Sequence, residues 1–316
     1  MEATANSSIL RRSSKEMTAS TEPGRAAVAF QRGQEGNRRI GISKPLENKL
    51  ALVTGSSRGI GAAIAVRLAA EGASVIVNYS ASPARAEAVV NQIKETGSQA
   101  EAVGADLSTV EGIKSLIASV DKAFGAKFSG RLDILVNNVG SVWYGPFLEG
   151  VDDSYDRHFN LNVRPVIELS KDAARRMVSC GWGRIINIGS IYGEAVQVPN
   201  ISIFTATKFA VHGFTRALSR ELGATGVTVN AVQPGFIFTE LSTADGHEVM
   251  KRLTSVGRYG SYESKKTERH NANNETSLFH RLAMSSVVGR TTDRKGEKRT
   301  WHRKSKDGKT ARAIRS

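Results

Sequence analysis

Residues 50–72 constrain the fold more than any other stretch. Leu50-Ala51-Leu52-Val53 is a short apolar run of the length and composition of a buried strand. The turn Thr54-Gly55-Ser56-Ser57-Arg58-Gly59-Ile60-Gly61 follows it, and Ala62 to Glu71 then carries a helical pattern that Gly72 closes. A strand that passes through a glycine turn into a helix N-terminus makes an anion site. Glycine lets the main chain approach a phosphate, and the first-turn N–H groups and the helix dipole face it with positive charge. The spacing Gly55-x-x-x-Gly59-x-Gly61 is a relative of the dinucleotide fingerprint, not its standard form.

The same alternation continues down the chain. Strands are expected over 73–79, 100–103, 132–136, 184–188 and 227–232, in addition to 50–53. Helices are expected over about 60–71, over 83–95 (ended by Gly97), over about 110–124, as two segments between 152 and 179, and over about 204–224. Strands that are apolar throughout and alternate with helices imply a parallel sheet covered on both faces. With right-handed crossovers the expected fold is α/β, a doubly wound parallel sheet of Rossmann type. Ligands of such sheets bind at the carboxyl ends of the strands. The glycine turn, Asn137-Asn138, Ser190 and Pro234-Gly235 all follow predicted strand ends, so they are expected to share one site.

The charge of the 316-residue chain is uneven. Residues 1–46 carry a net +4 and residues 251–316 a net +12, while 47–250 carry −2, so the overall +14 belongs to the ends. The middle has no basic bias toward nucleic acid; only the tail could reach an acidic partner, and a solvated tail is the preferred reading. Residues 1–46 show no sustained apolar period and are expected to be a disordered leader. Their Ser and Arg content raises an organelle transit peptide as the alternative, against which Glu2, Glu16, Glu22 and Glu35 count. The pattern fails near residue 260, and 261–316 is expected to be a basic, disordered tail, leaving a single domain over 47–260. A single cysteine, Cys180, precludes an internal disulfide and suits a reducing, cytoplasmic location. No run of eighteen apolar residues is present to span a membrane, and no metal site is expected.

Taken in order, Thr54-Gly55-x-x-x-Gly59-x-Gly61, Asp106, Asn137-Asn138-Val139-Gly140, Asn162, Ser190, Lys208 and Pro234-Gly235 closely resemble the motifs of the classical short-chain dehydrogenase/reductase family, over roughly residues 46–260. The resemblance implies an oxidoreductase that moves hydride between a nicotinamide cofactor and a carbonyl or secondary alcohol. It places the cofactor on Gly55, Ser57, Arg58, Gly59, Ile60 and Gly61, on Asn78, Tyr79 and Ser80, on Asp106 and Leu107, on Asn138, Val139 and Gly140, and on Lys208, Pro234 and Gly235. Asp106 would contact the adenine, Lys208 the nicotinamide ribose, Ser190 the substrate oxygen, and Asn162 a proton-relay water. Cofactor choice follows from charge. NAD sites commonly place an acid at the end of strand 2, but Asn78-Tyr79-Ser80 has none, and Arg58 stands in the turn where a cation meets a 2′-phosphate. NADP is therefore expected over NAD. The family commonly forms dimers or tetramers, so a homo-oligomer is an expected assembly.

Two departures bear on activity. The family's Tyr-x-x-x-Lys stands here as Phe204-Thr205-Ala206-Thr207-Lys208, so the catalytic set Asn162, Ser190, Phe204 and Lys208 lacks its phenol. Phenylalanine keeps the ring and loses the ionisable proton; loss of a positioned acid costs about 10²–10⁴ in rate. The function expected is thus a weakened NADP-dependent oxidoreductase, and the alternative is a non-catalytic NADP-binding pseudoenzyme. Tyr192 and Tyr144 lie near the expected pocket in sequence, where pocket wall is the preferred reading over proton donor. His158 and His212 fall within helices and are expected to cap or pack. Ser141, Val142, Trp143, Tyr144, Val196, Phe236 and Leu241 are the expected pocket residues and favour an apolar or moderately sized substrate. The second departure is the missing last helix and strand, which would leave strand 6 with an open edge.

Overall fold

A computed structural model describes residues 44–149, 151–239, 252–253 and 259–261. The chain divides into two units, Met1–Ile42 and Ser43–Ser316, of which the first lies outside the described residues. The expectations for the leader, for the tail beyond residue 261 and for Leu241 also lie outside them.

The main sheet has six parallel strands in the order β3-β2-β1-β4-β5-β6. They are β1 (Leu50–Val53), β2 (Ser74–Tyr79), β3 (Ala100–Gly104), β4 (Ile134–Asn137), β5 (Gly183–Ile188) and β6 (Val227–Val232). Six helices connect or flank them: α1 (Gly59–Ala70), α2 (Pro83–Glu95), α3 (Val110–Lys122), α4 (Val151–Asn162), α5 (Arg164–Ser179) and α6 (Ser202–Leu222). The chain winds outward from β1 to β3, returns to β4 beside β1, and winds outward again to β6. The reversal between β1 and β4 opens a crevice at their carboxyl ends, where doubly wound sheets hold ligands.

The alternation of side chains along each strand divides the core in two. Ala51, Val53, Val75 and Val77 point to one face and pack with Ile64 and Leu68 of α1 and Val90 and Ile93 of α2. Leu50, Leu52, Ile76, Leu135 and Ile185 point to the other and pack with Ile113 and Leu116 of α3 and Leu169 and Met177 of α5. Both faces are covered, which is why the strands are apolar throughout. The helix break between α4 and α5 follows from sequence. Pro165, in the first turn of α5, has no N–H to continue the ladder, and Val163 between the helices has φ −118° and ψ −55°. Among the described residues β6 is the outer strand, and a separate two-stranded sheet pairs β7 (Ile237–Phe238) with β8 (Gly260–Ser261).

Candidate functional site

β1 delivers Thr54 to the crevice fully buried, and the chain turns there. Gly55 (φ +58°) and Gly59 (φ +56°) take the left-handed conformation that other residues avoid. α1 starts at Gly59 with the extended Arg58 at its N-cap, no side-chain cap and no acid in its first turn. Its leading N–H groups are therefore offered to a ligand anion, the arrangement that suits a pyrophosphate.

Two asparagines hold this turn. Gly55 N–H donates to Asn78 Oδ1 (3.1 Å), while Asn78 Nδ2 donates to the carbonyls of Tyr79, Val103 and Ala105 (3.3 Å each). Asn78 is 1% exposed. Its side-chain atoms thus bond the backbone and fix the turn. Asn138 Nδ2 donates to the carbonyls of Thr54 (2.9 Å) and Gly55 (3.1 Å). Thr54 Oγ1 in return accepts the N–H groups of Asn138 (2.9 Å) and Val139 (3.0 Å). The segments after β1 and β4 are therefore stapled across the crevice by one hydroxyl and one amide. Thr54→Val is isosteric and leaves both N–H groups without that acceptor. It is expected to lower stability by about 1–3 kcal/mol in denaturant unfolding, and an unchanged midpoint would count against the staple.

The remaining cofactor candidates ring the same edge. Tyr79 is half-buried and Ser80 exposed, with no carboxylate at the end of β2. The exposed Asp106 accepts Ser108 N–H (3.0 Å) and Ser108 Oγ–H (2.8 Å) on Oδ1, which shapes its own turn, and Leu107 behind it is buried. Val139 and Gly140 lie half-buried beyond Asn138. A Cβ on Gly140 would stand 3.2 Å from Asn162 Oδ1 and 3.6 Å from Lys208 Nζ, so the main chain comes close to both. Pro234 carbonyl accepts Ile191 N–H (3.0 Å), which brings the Pro234-Gly235 turn against the segment after β5. Ser57 and Ile60 are half-buried members of the glycine turn.

The four catalytic candidates come from three elements. Ser190 N-caps a single 3-10 turn, Ile191–Gly193, and its Oγ accepts Tyr192 N–H (3.2 Å). That bond leaves the hydroxyl proton available to a substrate oxygen. Lys208 on α6 is 7% exposed, and its Nζ donates to Ile188 carbonyl (3.2 Å) at the end of β5. Burial draws its pKa down to about 8. Phe204, one helical turn before Lys208, is buried, with Lys208 Nζ 5.5 Å from its ring centroid. Asn162, at the end of α4, accepts Ser141 N–H (2.9 Å), donates to Ser141 carbonyl (2.9 Å) and donates to Thr207 Oγ1 (3.2 Å). It therefore clamps the loop after β4 onto α6.

The two tyrosines differ. Tyr144 is exposed on the loop. Tyr192 is buried, edge-on to Phe204 (6.1 Å between centroids), and its hydroxyl has no hydrogen-bond partner among the described residues. Burial pushes its pKa up to about 12, which fits pocket wall better than proton donor. His158 is fully buried and His212 half-buried, each bonded to main chain. Trp143, Tyr144 and Phe147 line a cavity of about 220 Å³ together with Ser154, Ile201 and Ile203. Val196 is exposed, and Phe236 packs edge-on against Tyr192 at 6.1 Å.

Sequence reasoning missed the polar chain beneath the site. Asn137 Nδ2 donates to Asn187 Oδ1 (2.8 Å) and to Ser170 Oγ (3.1 Å), and Asn187 Nδ2 donates to Thr215 Oγ1 (2.8 Å). These groups tie β4, β5, α5 and α6 together. The available signal was an asparagine inside each of two apolar strands, where a polar residue needs a partner. Among the described residues no cluster of three metal-ligating side chains is present, and no helix is long and apolar enough to cross a membrane.

Comparison with known proteins adds to this geometry. A family model described as short chain dehydrogenase matches residues 49–249. Elsinochrome reductase 1 of Elsinoe fawcettii is 43% identical over 196 residues, 62% of this chain and 71% of that protein. The 3-oxoacyl-[acyl-carrier-protein] reductase FabG of Staphylococcus aureus strain Mu50 is 38% identical over 215 residues, 67% of this chain and 85% of that protein. A short chain dehydrogenase from Burkholderia cenocepacia J2315, crystallised in complex with NADP, superposes with a TM-score of 0.66 at 37% identity, covering 77% of this chain and 92% of that one.

Proposed function

This chain belongs to the short-chain dehydrogenase family, and on that premise we propose that it is an NADP-dependent oxidoreductase acting on a carbonyl or secondary alcohol. One observation carries the reading: an uncapped glycine turn and the buried Lys208 stand at the same end of one sheet, with Ser190 beside them. The first-turn N–H groups of α1 take the pyrophosphate. No carboxylate ends β2, and Arg58 stands in the turn itself, where a guanidinium matches a 2′-phosphate, so the preference is for NADP. The NADP complex of the Burkholderia relative supports that choice.

The bound cofactor supplies the hydride. This chain's residues bind and orient the reactants. Ser190 Oγ–H would donate to the substrate oxygen, and Lys208 Nζ–H would donate to the ribose hydroxyls of the cofactor. Asn162 fixes Ser141 and with it the floor of the cleft. Phe204 has no proton to give, so the developing alkoxide takes its proton from water, and turnover is weak. Trp143, Tyr144, Phe147, Ile201 and Ile203 give the entrance apolar walls, which suit a ring-bearing carbonyl. The second reading, a cofactor-binding pseudoenzyme, rests on Phe204 alone.

Titration of the full chain with NADPH, followed by cofactor fluorescence, tests the reading. Protonated Lys208 brings charge and three donors; the neutral amine brings fewer donors and no charge. Affinity is therefore expected to be highest below about pH 8 and to weaken as the pH rises through that value. NADH is expected to bind less tightly than NADPH at every pH. Failure of both to bind at about pH 7 would overturn the proposal.

A further inference from the structure

His158 is a residue that the catalytic scheme leaves idle. It is fully buried on α4. Its Nδ1 lies 2.7 Å from the carbonyl and 3.1 Å from the hydroxyl of Ser154, one turn back. Its Nε2 accepts Trp143 N–H at 3.2 Å. A carbonyl against one nitrogen and an N–H against the other fixes the neutral tautomer that carries its proton on Nδ1. The Trp143 ring stands edge-on to the imidazole, 4.6 Å between centroids. One side chain thus holds both the main chain and the ring of Trp143, and Trp143 is a wall of the 220 Å³ cavity. The imidazole also lies against Phe204, 6.2 Å between centroids.

We propose that His158 is a positioning residue, which holds Trp143 in place as the wall of the substrate entrance and releases it on taking up a second proton. Calling the cavity the substrate entrance rests on the proposed function; the hold on Trp143 does not. A proton on Nε2 sets a donor against the Trp143 N–H donor and removes the bond. Burial already holds the His158 pKa below its ordinary value. Among the described residues the other ionisable groups around it are few. Lys208 of α6 lies beyond Phe204 and opposes a second cation. Tyr192 packs on Phe204 from the segment after β5. Tyr144 and Glu149 of the loop line the same cavity as Ser154. Asp156 and Arg157 are its exposed neighbours along α4.

The chain has three tryptophans, so Trp182→Phe and Trp301→Phe leave Trp143 as the sole emitter in the full-length protein. Acrylamide quenching is then measured from about pH 8 to about pH 5. The quenching constant is expected to rise about twofold or more, with a midpoint below about pH 6.5, the ordinary value for histidine. Trp143 is already 36% exposed while held, so the signal is the size of the quenching constant: with His158→Leu added it is expected to stand at the raised value at all pH values, with no transition. NADPH titration of each variant reports the fold and the cofactor site separately, so the proposed function stands or falls on a different signal. Quenching that stays flat with pH while His158 is present overturns the inference. So does a His158→Leu protein that binds NADPH and whose Trp143 is quenched no more than that of its parent at about pH 8. Should that variant not fold, the pH series on the His158 protein decides alone.

Discussion

Phe204→Tyr is expected to raise kcat/KM for NADPH-driven carbonyl reduction by about 10²–10⁴, with NADPH affinity within about threefold of the parent, since the cofactor's anchors are elsewhere. Phe204 sits on α6 one turn before Lys208, whose Nζ is 5.5 Å from the ring centroid. A phenol in that place would lie beside a buried ammonium. The positive charge favours phenolate and lowers the phenol pKa, and exclusion of water strengthens the coupling. Tyr192 cannot take over by the same means. Its hydroxyl is buried with no partner among the described residues, and its pKa is pushed up to about 12. Initial rates of NADPH oxidation over a carbonyl panel, for both proteins, make the measurement. Equal and substantial turnover by both would show that the phenol is dispensable and remove the pseudoenzyme reading. A silent parent and an active variant would establish that reading.

The strands were legible because both faces of the sheet are covered. Leu50–Val53 and residues 134–136 are apolar on both sides of the pleat, as a parallel strand covered on both faces requires. Boundaries moved by a residue or two where local pattern gives no stop. α6 begins at Ser202 rather than Phe204, and β4 starts at Ile134 rather than Leu132. That the candidate residues gather at the carboxyl ends of the strands was legible for the same topological reason.

Individual roles were less so, because role depends on which partner a side chain finds across the fold. The place of Asn78 at the end of β2 is legible, but that its amide is engaged by Gly55 and by three carbonyls requires the neighbouring segments to be placed. His158 looked like packing from its helical position, and it does pack. That its two nitrogens bracket Ser154 and Trp143 required the loop after β4 to be placed. Lys208 was legible only through its neighbours in the motif. A lysine on a helix is ordinarily solvated, and what distinguishes this one is burial against Ile188 carbonyl, a contact between residues twenty apart.

Gly61→Ala separates the cofactor site from the rest of the fold. A Cβ at this position would stand 2.5 Å from Asn138 Nδ2, 2.6 Å from Gly55 carbonyl oxygen and 2.9 Å from Ser56 Cα. Two of these are main-chain atoms of the turn, so the methyl group cannot be accommodated by a rotamer change alone. It must push α1 away from the turn or drive the Asn138 amide off the Thr54 and Gly55 carbonyls. Either movement disperses the N–H groups meant for the pyrophosphate. Overpacking of this kind is expected to lower stability by about 1–3 kcal/mol and NADPH affinity by tenfold or more, about 1.4 kcal/mol. Gly213 supplies the control. It is exposed within α6, and a Cβ there would meet nothing within 4 Å. Gly213→Ala is expected to raise stability by about 0.5–1 kcal/mol and to leave NADPH binding unchanged. Equal binding by the Gly61→Ala and Gly213→Ala proteins would mean that the close approach at Gly61 serves packing alone, and the phosphate cradle would have to be sought elsewhere.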